Sequence, residues 1–256
     1  MVTTLFSKYT SIIRALDKPG IDDRLLLGRS GSLSAYYAPF DAATPKAKIV
    51  LVGITPGKTQ MINALGEAAR MLRNGESDHD ALFAGKRTGA FSGAMRSNLV
   101  AVLDRVGLND FLKIGSCATL FGSSSHLMMT TSILPFPVFV DGGNYNGKPD
   151  PWETPFLREQ IETHFIPLIR EMKNAVFVPL GPVPAKVLNT LLNAGTIPRG
   201  RVIAGLPHPS GANAERIKYF LGLKDRAKLS KKVDPTKLDN ALNVACQSIR
   251  ELAVLA

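Results

Sequence analysis

Apolar positions at Leu5, Phe6, Tyr9, Ile12, Ile13 and Leu16 recur with a helical period and predict a helix over 4–17, ended by Asp17-Lys18-Pro19-Gly20. Small and polar residues dominate 29–46, which reads as a loop leading into a strand at Ala47–Val52. That strand is apolar on both faces, the pattern of a central parallel strand covered by helices. The helical period returns after Gly57 and runs to about Leu72, gives way to the polar run NGESDHD and then KRTGAFSG, and resumes over 94–106 with Gly107 as its stop. Further strands are predicted at Leu127–Ile133, Val176–Leu180 and Arg201–Ala204, with a Pro- and Gly-rich loop over 135–151. A helix from about Trp152 to Met172 carries Pro155 and Pro167, so it starts late and kinks or breaks at the second. Another helix covers about Pro184–Leu192, and the tail from 216 onward is helical and basic, with a break near Pro235. Strands alternating with helices predict an α/β fold, three-layered αβα around a central four-stranded parallel sheet.

At 256 residues and 45% apolar content the chain can bury one full α/β core. The expectation is a single domain over 1–256: a core at about 47–220, an N-terminal helical extension at 1–46 and a basic helical segment at 221–256. No apolar run reaches membrane-span length, and the first residues lack the pattern of a signal peptide. A cytoplasmic monomer without a membrane partner is expected. Cys117 and Cys246 are too few for a thiolate zinc site or a four-thiolate iron–sulfur cluster, and no metal or cofactor is predicted. The net charge of +10 favours a polyanionic partner.

Four unusual stretches follow the predicted strands, where an open parallel sheet places its ligand crevice: GITPG, TSILPFP, LGPVP and GLPHPSGAN. The first, in KIVLVGITPGKTQ (Lys48–Gln60), suggests a phosphate loop. The pattern G-x-x-x-x-G-K-(S/T) needs one more residue between its glycines than separates Gly53 from Gly57. Pro56 also removes a backbone donor, and only Asp141, closing PVFVD, offers a strand-end carboxylate for magnesium.

Read together, Gly53-Ile54-Thr55-Pro56-Gly57 and His208-Pro209-Ser210-Gly211-Ala212-Asn213 resemble the two signature motifs of the uracil-DNA glycosylase superfamily, a G-x-(D/N/A)-P-(Y/G) turn and a later (H/N)-P-S turn. Three more stretches agree in order and spacing from about residue 47 to 220. Thr88-Gly89-Ala90-Phe91-Ser92-Gly93 is similar to the family's aromatic pocket segment. Thr131-Ser132-Ile133-Leu134 sits where a strand brings a base-reading Asn. Pro155-Phe156-Leu157 and Gln160-Ile161, leading to Val176–Gly181, resemble the helix and strand before the second motif. The middle of the chain is most similar to the thermostable iron–sulfur branch, whose cluster cysteines are absent, and GITPG to the mismatch-specific and single-strand-selective branches.

The resemblance implies a DNA N-glycosylase that hydrolyses the N-glycosidic bond of uracil or a related damaged base. His208 would stabilise charge developing on uracil O2, with Pro209 stiffening its turn, Ser210 bonding phosphate or backbone, and Asn213 closing the motif. Phe91 would stack on an extruded base, and the N–H groups of Ile54 and Thr55 would meet the pyrimidine edge. Two positions depart from the family. Thr55 stands where active members usually carry Asp or Asn, and its hydroxyl can orient a water but is no base near neutral pH. Ser132 replaces the base-reading Asn and can donate or accept, which loosens selectivity for uracil. Arg216 and Lys218 head a segment with eight Lys or Arg against two Asp by Lys237, placed to meet a DNA backbone. Gly211-Ala212-Asn213 offers no apolar wedge, which points to single-stranded or mismatched DNA.

Plainer readings stand beside these. His208 can be a loop histidine between prolines and Phe91 a core residue. Asp78 or Asp80 offers a water-activating carboxylate or simply caps a helix, and Asn144 and Asn146 offer a missing amide or mark a turn. At the level of function the alternative is a nucleic-acid-binding protein on the same fold without catalysis, which Thr55 and Ser132 favour.

Overall fold

A computed structural model describes residues 5–89, 94–172 and 174–254. In chain order its elements are α1 (Phe6–Arg14), β1 (Leu26–Ser30), β2 (Leu33–Tyr36), β3 (Ile49–Gly53), α2 (Lys58–Arg73), α3 (Asp78–Gly89), α4 (Ala94–Arg105), α5 (Leu108–Leu112), β4 (Met128–Ser132), β5 (Val138–Val140), β6 (Gly143–Asn144), α6 (Pro155–Gln160), α7 (Ile166–Arg170), β7 (Val176–Pro179), α8 (Pro182–Asn193), α9 (Ala214–Phe220) and α10 (Pro235–Val254). The protein is mixed α/β with two sheets. Its chain groups into two compact units, one from Met1–Pro45, Gly53–Ala90 and Thr131–Glu171, the other from Lys46–Val52, Phe91–Thr130 and Met172–Ala256. Among the described residues no helix is long and apolar enough to cross a membrane.

In the second unit β3 lies between β4 and β7 in a parallel sheet, with Ile49, Val50, Leu51 and Val52 opposite Val176, Phe177, Val178 and Pro179. Every one of these residues is buried, so the run is apolar throughout rather than alternating. Ile49, Leu51, Val176 and Val178 share one core with Leu99 and Leu103 of α4, Val106 just after it, Ile217 and Phe220 of α9, and Ile249 and Leu252 of α10. The sheet has three strands, not the four expected. Arg201–Ala204 contributes a single parallel bridge, in which Phe177 N–H donates to the Arg201 carbonyl (2.7 Å) and Ile203 N–H to the Phe177 carbonyl (2.9 Å). Gly200 and Gly205, both at positive φ, turn the chain away on either side and end the pairing.

The first unit carries an antiparallel sheet, β1-β2-β5-β6, where loops were expected over 29–46 and 135–151. The N-terminal extension is therefore a helix followed by a β-hairpin, not helical throughout. Asp141-Gly142 joins β5 to β6 with both residues at positive φ, the requirement of a type I′ hairpin. Asp141 is thus an exposed turn residue rather than a strand-end metal ligand.

Two helices of this unit frame the GITPG turn. The polar run after Leu72 is the start of α3: Ser77 Oγ accepts Asp80 N–H (3.1 Å) and donates to the Asp80 carboxylate (2.7 Å), a local cap, while Asp78 accepts the Thr10 hydroxyl (2.9 Å). The helix predicted over 152–172 begins at Pro155, as expected for a proline in a first turn, and is interrupted by a π turn at Ile161–Phe165 just before Pro167. Pro167 lacks an N–H and its ring crowds the carbonyl of Thr163, so the wider turn relieves the clash. Helices α2 and α3 approach closely because of Gly85: a Cβ there would lie 2.8 Å from the Ala64 carbonyl oxygen and 3.3 Å from Ala68 Cβ.

Gly85→Ala is expected to destabilise by about 1–3 kcal/mol through overpacking, although the same change in an open helix interior stabilises by up to about 1 kcal/mol. The midpoint of urea denaturation reads the sign; a rise would mean that the close approach does not require glycine.

Candidate functional site

The first candidate turn leaves β3 at Gly53 and stays registered to the end of β4. Gly53 C=O accepts Ile133 N–H (2.9 Å) and Ile54 C=O accepts Leu134 N–H (3.0 Å). A Cβ on Gly53 would sit 3.2 Å from Ser132 Oγ, so the glycine leaves room for that hydroxyl at the strand ends. Beside it, Thr131 Oγ1 is buried with no hydrogen-bond partner among the described residues.

Thr55 is used as a clasp. Its hydroxyl donates to the Phe136 carbonyl (2.9 Å) and accepts Val138 N–H (3.1 Å), which ties the turn to the start of β5. The proton is therefore committed, and what remains to a passing water is an acceptor lone pair. Pro56 is buried beneath the turn.

Side-chain amides close the turn where α2 begins. Gly57 N–H donates to Gln60 Oε1 (2.9 Å), and Gln60 Nε2 reaches the Gly89 carbonyl (3.0 Å) at the end of α3. Lys58 N–H donates to Asn144 Oδ1 (2.8 Å) from the β5–β6 hairpin. A phosphate loop needs these N–H groups free; here both are filled. By contrast, the N–H groups of Ile54 and Thr55 have no partner among the described residues. Phe91 lies outside the described residues.

Sequence reasoning missed His164. It sits in the π turn with its ring edge-on to Phe136 at 5.0 Å, and burial holds its imidazole below the usual histidine range. Its one signal in the sequence is Pro167, which forces the widened turn. Gln60 was also missed, and Asn144 appeared only as a turn residue or spare amide.

The second turn, in the other unit, is built around His208. Asn98 of α4 donates to the Pro209 carbonyl (3.0 Å), and Ser210 N–H donates to His208 Nδ1 (3.2 Å). An Nδ1 that accepts leaves the proton of the neutral ring on Nε2. Burial lowers the His208 pKa, so the neutral Nε2–H form prevails at pH 7. Gly181, at φ 105°, precedes α8 close to the ring: a Cβ there would lie 3.7 Å from His208 Cδ2. Asn213 links the turn to α9, with Nδ2 donating to Ser210 Oγ (3.2 Å) and Oδ1 accepting Arg216 Nη1 (3.0 Å). Arg216 is thereby turned onto the protein, whereas Lys218 is exposed. Among the described residues no group of three or more His, Cys, Asp or Glu is placed to hold a metal ion.

Thus Gly53, Thr55, Gly57 and Ser132 gather in the first unit, and His208, Pro209, Ser210, Asn213 and Arg216 in the second. The chain is 35% identical over 209 residues to the uncharacterized protein YoxB of Bacillus subtilis, an alignment covering 80% of this chain and 82% of that protein. The chain belongs to the YoxB family. No family model and no solved structure matches it.

For this member of the YoxB family, Thr55→Val is expected to cost about 1–3 kcal/mol by orphaning the Phe136 carbonyl and Val138 N–H, with Thr55→Ser close to wild type. Equal denaturation midpoints for the two variants would rule out the clasp. His208 and His164 both have folded-state pKa values below the ordinary 6.5, so the unfolded chain binds more protons around and below that pH. Stability should therefore be greatest above about pH 6.5 and fall as acid is added. Thermal denaturation from pH 7.5 to 5.5 reads this, and the His164→Gln/His208→Gln pair should flatten the profile. An equally steep fall in that pair would assign the effect to other groups.

Proposed function

We propose that the protein is a DNA N-glycosylase of the uracil-DNA glycosylase type, releasing uracil or a related damaged base from single-stranded or mismatched DNA in the cytoplasm without metal or cofactor. The observation that carries this reading is the state of His208: a partly buried, neutral imidazole whose Nδ1 is occupied by Ser210 N–H, leaving Nε2–H as a fixed donor. In the reaction the C1′–N bond breaks, its electron pair goes to the departing base, and a water oxygen bonds to C1′; the proton that water loses ends on the base anion, which leaves as the neutral base. A donor held on the base oxygen stabilises the charge that develops there, and a neutral donor does so without a proton transfer. The N–H groups of Ile54 and Thr55, without a partner among the described residues, suit contact with a pyrimidine edge.

Thr55 is assigned no part in deprotonating water, because its proton is held by Phe136. Ser132 makes the pocket tolerant of more than one base. A uracil-DNA glycosylase-like fold would accompany this reading, and the single bridge at Val202 lies where its fourth strand is expected. The clasp at Thr55 also favours a second reading, a nucleic-acid-binding protein of the same ancestry in which catalysis is lost.

A single-stranded oligonucleotide with one uracil, incubated with the protein and then treated with alkali, is expected to be cut at that position. His208→Ala should slow release by about 100-fold or more while leaving oligonucleotide binding intact. Release at an unchanged rate would remove His208 from the chemistry. No release of uracil or hypoxanthine, with salt-sensitive binding retained, would leave the second reading.

A further inference from the structure

The basic segment after the second turn is not a uniformly positive surface. Its acidic residues are consumed locally: Glu215 pairs with Lys224 (2.7 Å), Asp225 with Lys228 (3.4 Å), Asp234 with Lys237 (3.7 Å) and Asp239 with Arg226 (3.2 Å). Arg216, Lys218, Lys231 and Lys232 keep no acidic partner among the described residues. Two of these stand together at a defined place. Val233 N–H donates to the Ser230 carbonyl (3.0 Å), which closes a four-residue turn with Lys231 and Lys232 as its exposed central pair.

Both ends of that turn are anchored. Ser230 gives its N–H (3.0 Å) and its hydroxyl (2.6 Å) to the Glu215 carboxylate, which also holds Lys224. Val233 is buried, and Arg216 Nη2 donates to the Lys232 carbonyl (2.8 Å). Through Arg216, Asn213 and Ser210 the turn is tied by successive hydrogen bonds to the loop that carries His208.

We infer that the Ser230–Val233 turn is a phosphate-binding tip for the backbone of single-stranded nucleic acid, with Lys231 and Lys232 meeting phosphates while Arg216 and Glu215 position the turn. This extends the glycosylase reading to how its strand is held, and reassigns Arg216 from a phosphate contact to a positioning residue. A membrane surface fits less well, because Leu223 is the only strongly exposed large apolar residue described in this segment, and one such residue is too little for anchoring.

The test is fluorescence anisotropy of the full chain with an unmodified single-stranded oligonucleotide across a salt series. Lys231→Ala/Lys232→Ala should lower the slope of log K against log salt by about 1.4 and weaken binding about tenfold at moderate salt. The control Lys18→Ala/Lys46→Ala, two exposed lysines elsewhere, should leave the slope unchanged. Glu215→Gln gives the decisive sign: removing a negative charge would tighten phosphate binding if Glu215 were only a bystander, whereas loss of the anchor should weaken it. Thermal denaturation checks that each variant is folded.

An unchanged slope in the Lys231/Lys232 pair, an equal fall in the control pair, or tighter binding by folded Glu215→Gln would each overturn the inference. So would binding to phosphatidylglycerol vesicles with none to the oligonucleotide. Failure of the glycosylase reading looks different: no uracil is released, yet the slope still falls. If uracil is released and the Lys231/Lys232 pair leaves KM unchanged, the tip is refuted and the glycosylase stands.

Discussion

A strand with no exposed face sets the terms for this molecule. Every residue of β3 from Ile49 to Val52 is buried, so each of its backbone polar groups needs a protein partner. Neighbouring strands β4 and β7 supply them, and the chain can turn only where that demand ends, at Gly53. The candidate turn follows at that point, and its first two carbonyls still bond to the chain beyond β4. A loop leaving a fully buried strand thus starts as part of the sheet.

What the amino-acid pattern discloses depends on how far away the partner of each residue lies. Runs such as Ile49–Val52 and Val176–Pro179 are legible because burial on both faces writes a continuous apolar string. The break before Pro167 is legible because the missing N–H is local. Leu33–Tyr36 is also buried throughout, but its serine and alanine make the string read as a loop. Asp141-Gly142 is a strong hairpin signal that the surrounding prolines obscured. Helix α3 was hidden by the residues that let it pack, since Gly85 and Gly89 lower helix propensity while admitting Ala64 and the ring of Phe40. Val202 fails in the opposite sense, as a strand-like run too short between two glycines to pair beyond one bridge.

The same rule governs the site. The motifs GITPG and HPSGAN are visible because each is contiguous. Gln60 and Asn144 are not, because the groups they hold become neighbours only in the folded chain: the carbonyl of Gly89 lies 29 residues from Gln60, and Asn144 lies 86 from Lys58. Thr55 shows the hazard of reading a motif position alone. A hydroxyl in a catalytic-looking place is here shared with Phe136 and Val138, where it ties the turn to the start of β5.

The groups that fix the first turn are a threonine hydroxyl and two carboxamides, none of which gains or loses charge in the physiological range. That turn behaves as a neutral frame, indifferent to acidity and to ionic strength. The second turn carries an imidazole that gains charge in acid, and Asn213 links it to the Arg216 guanidinium. A fall in pH would therefore alter the second turn while the geometry of the first stays constant.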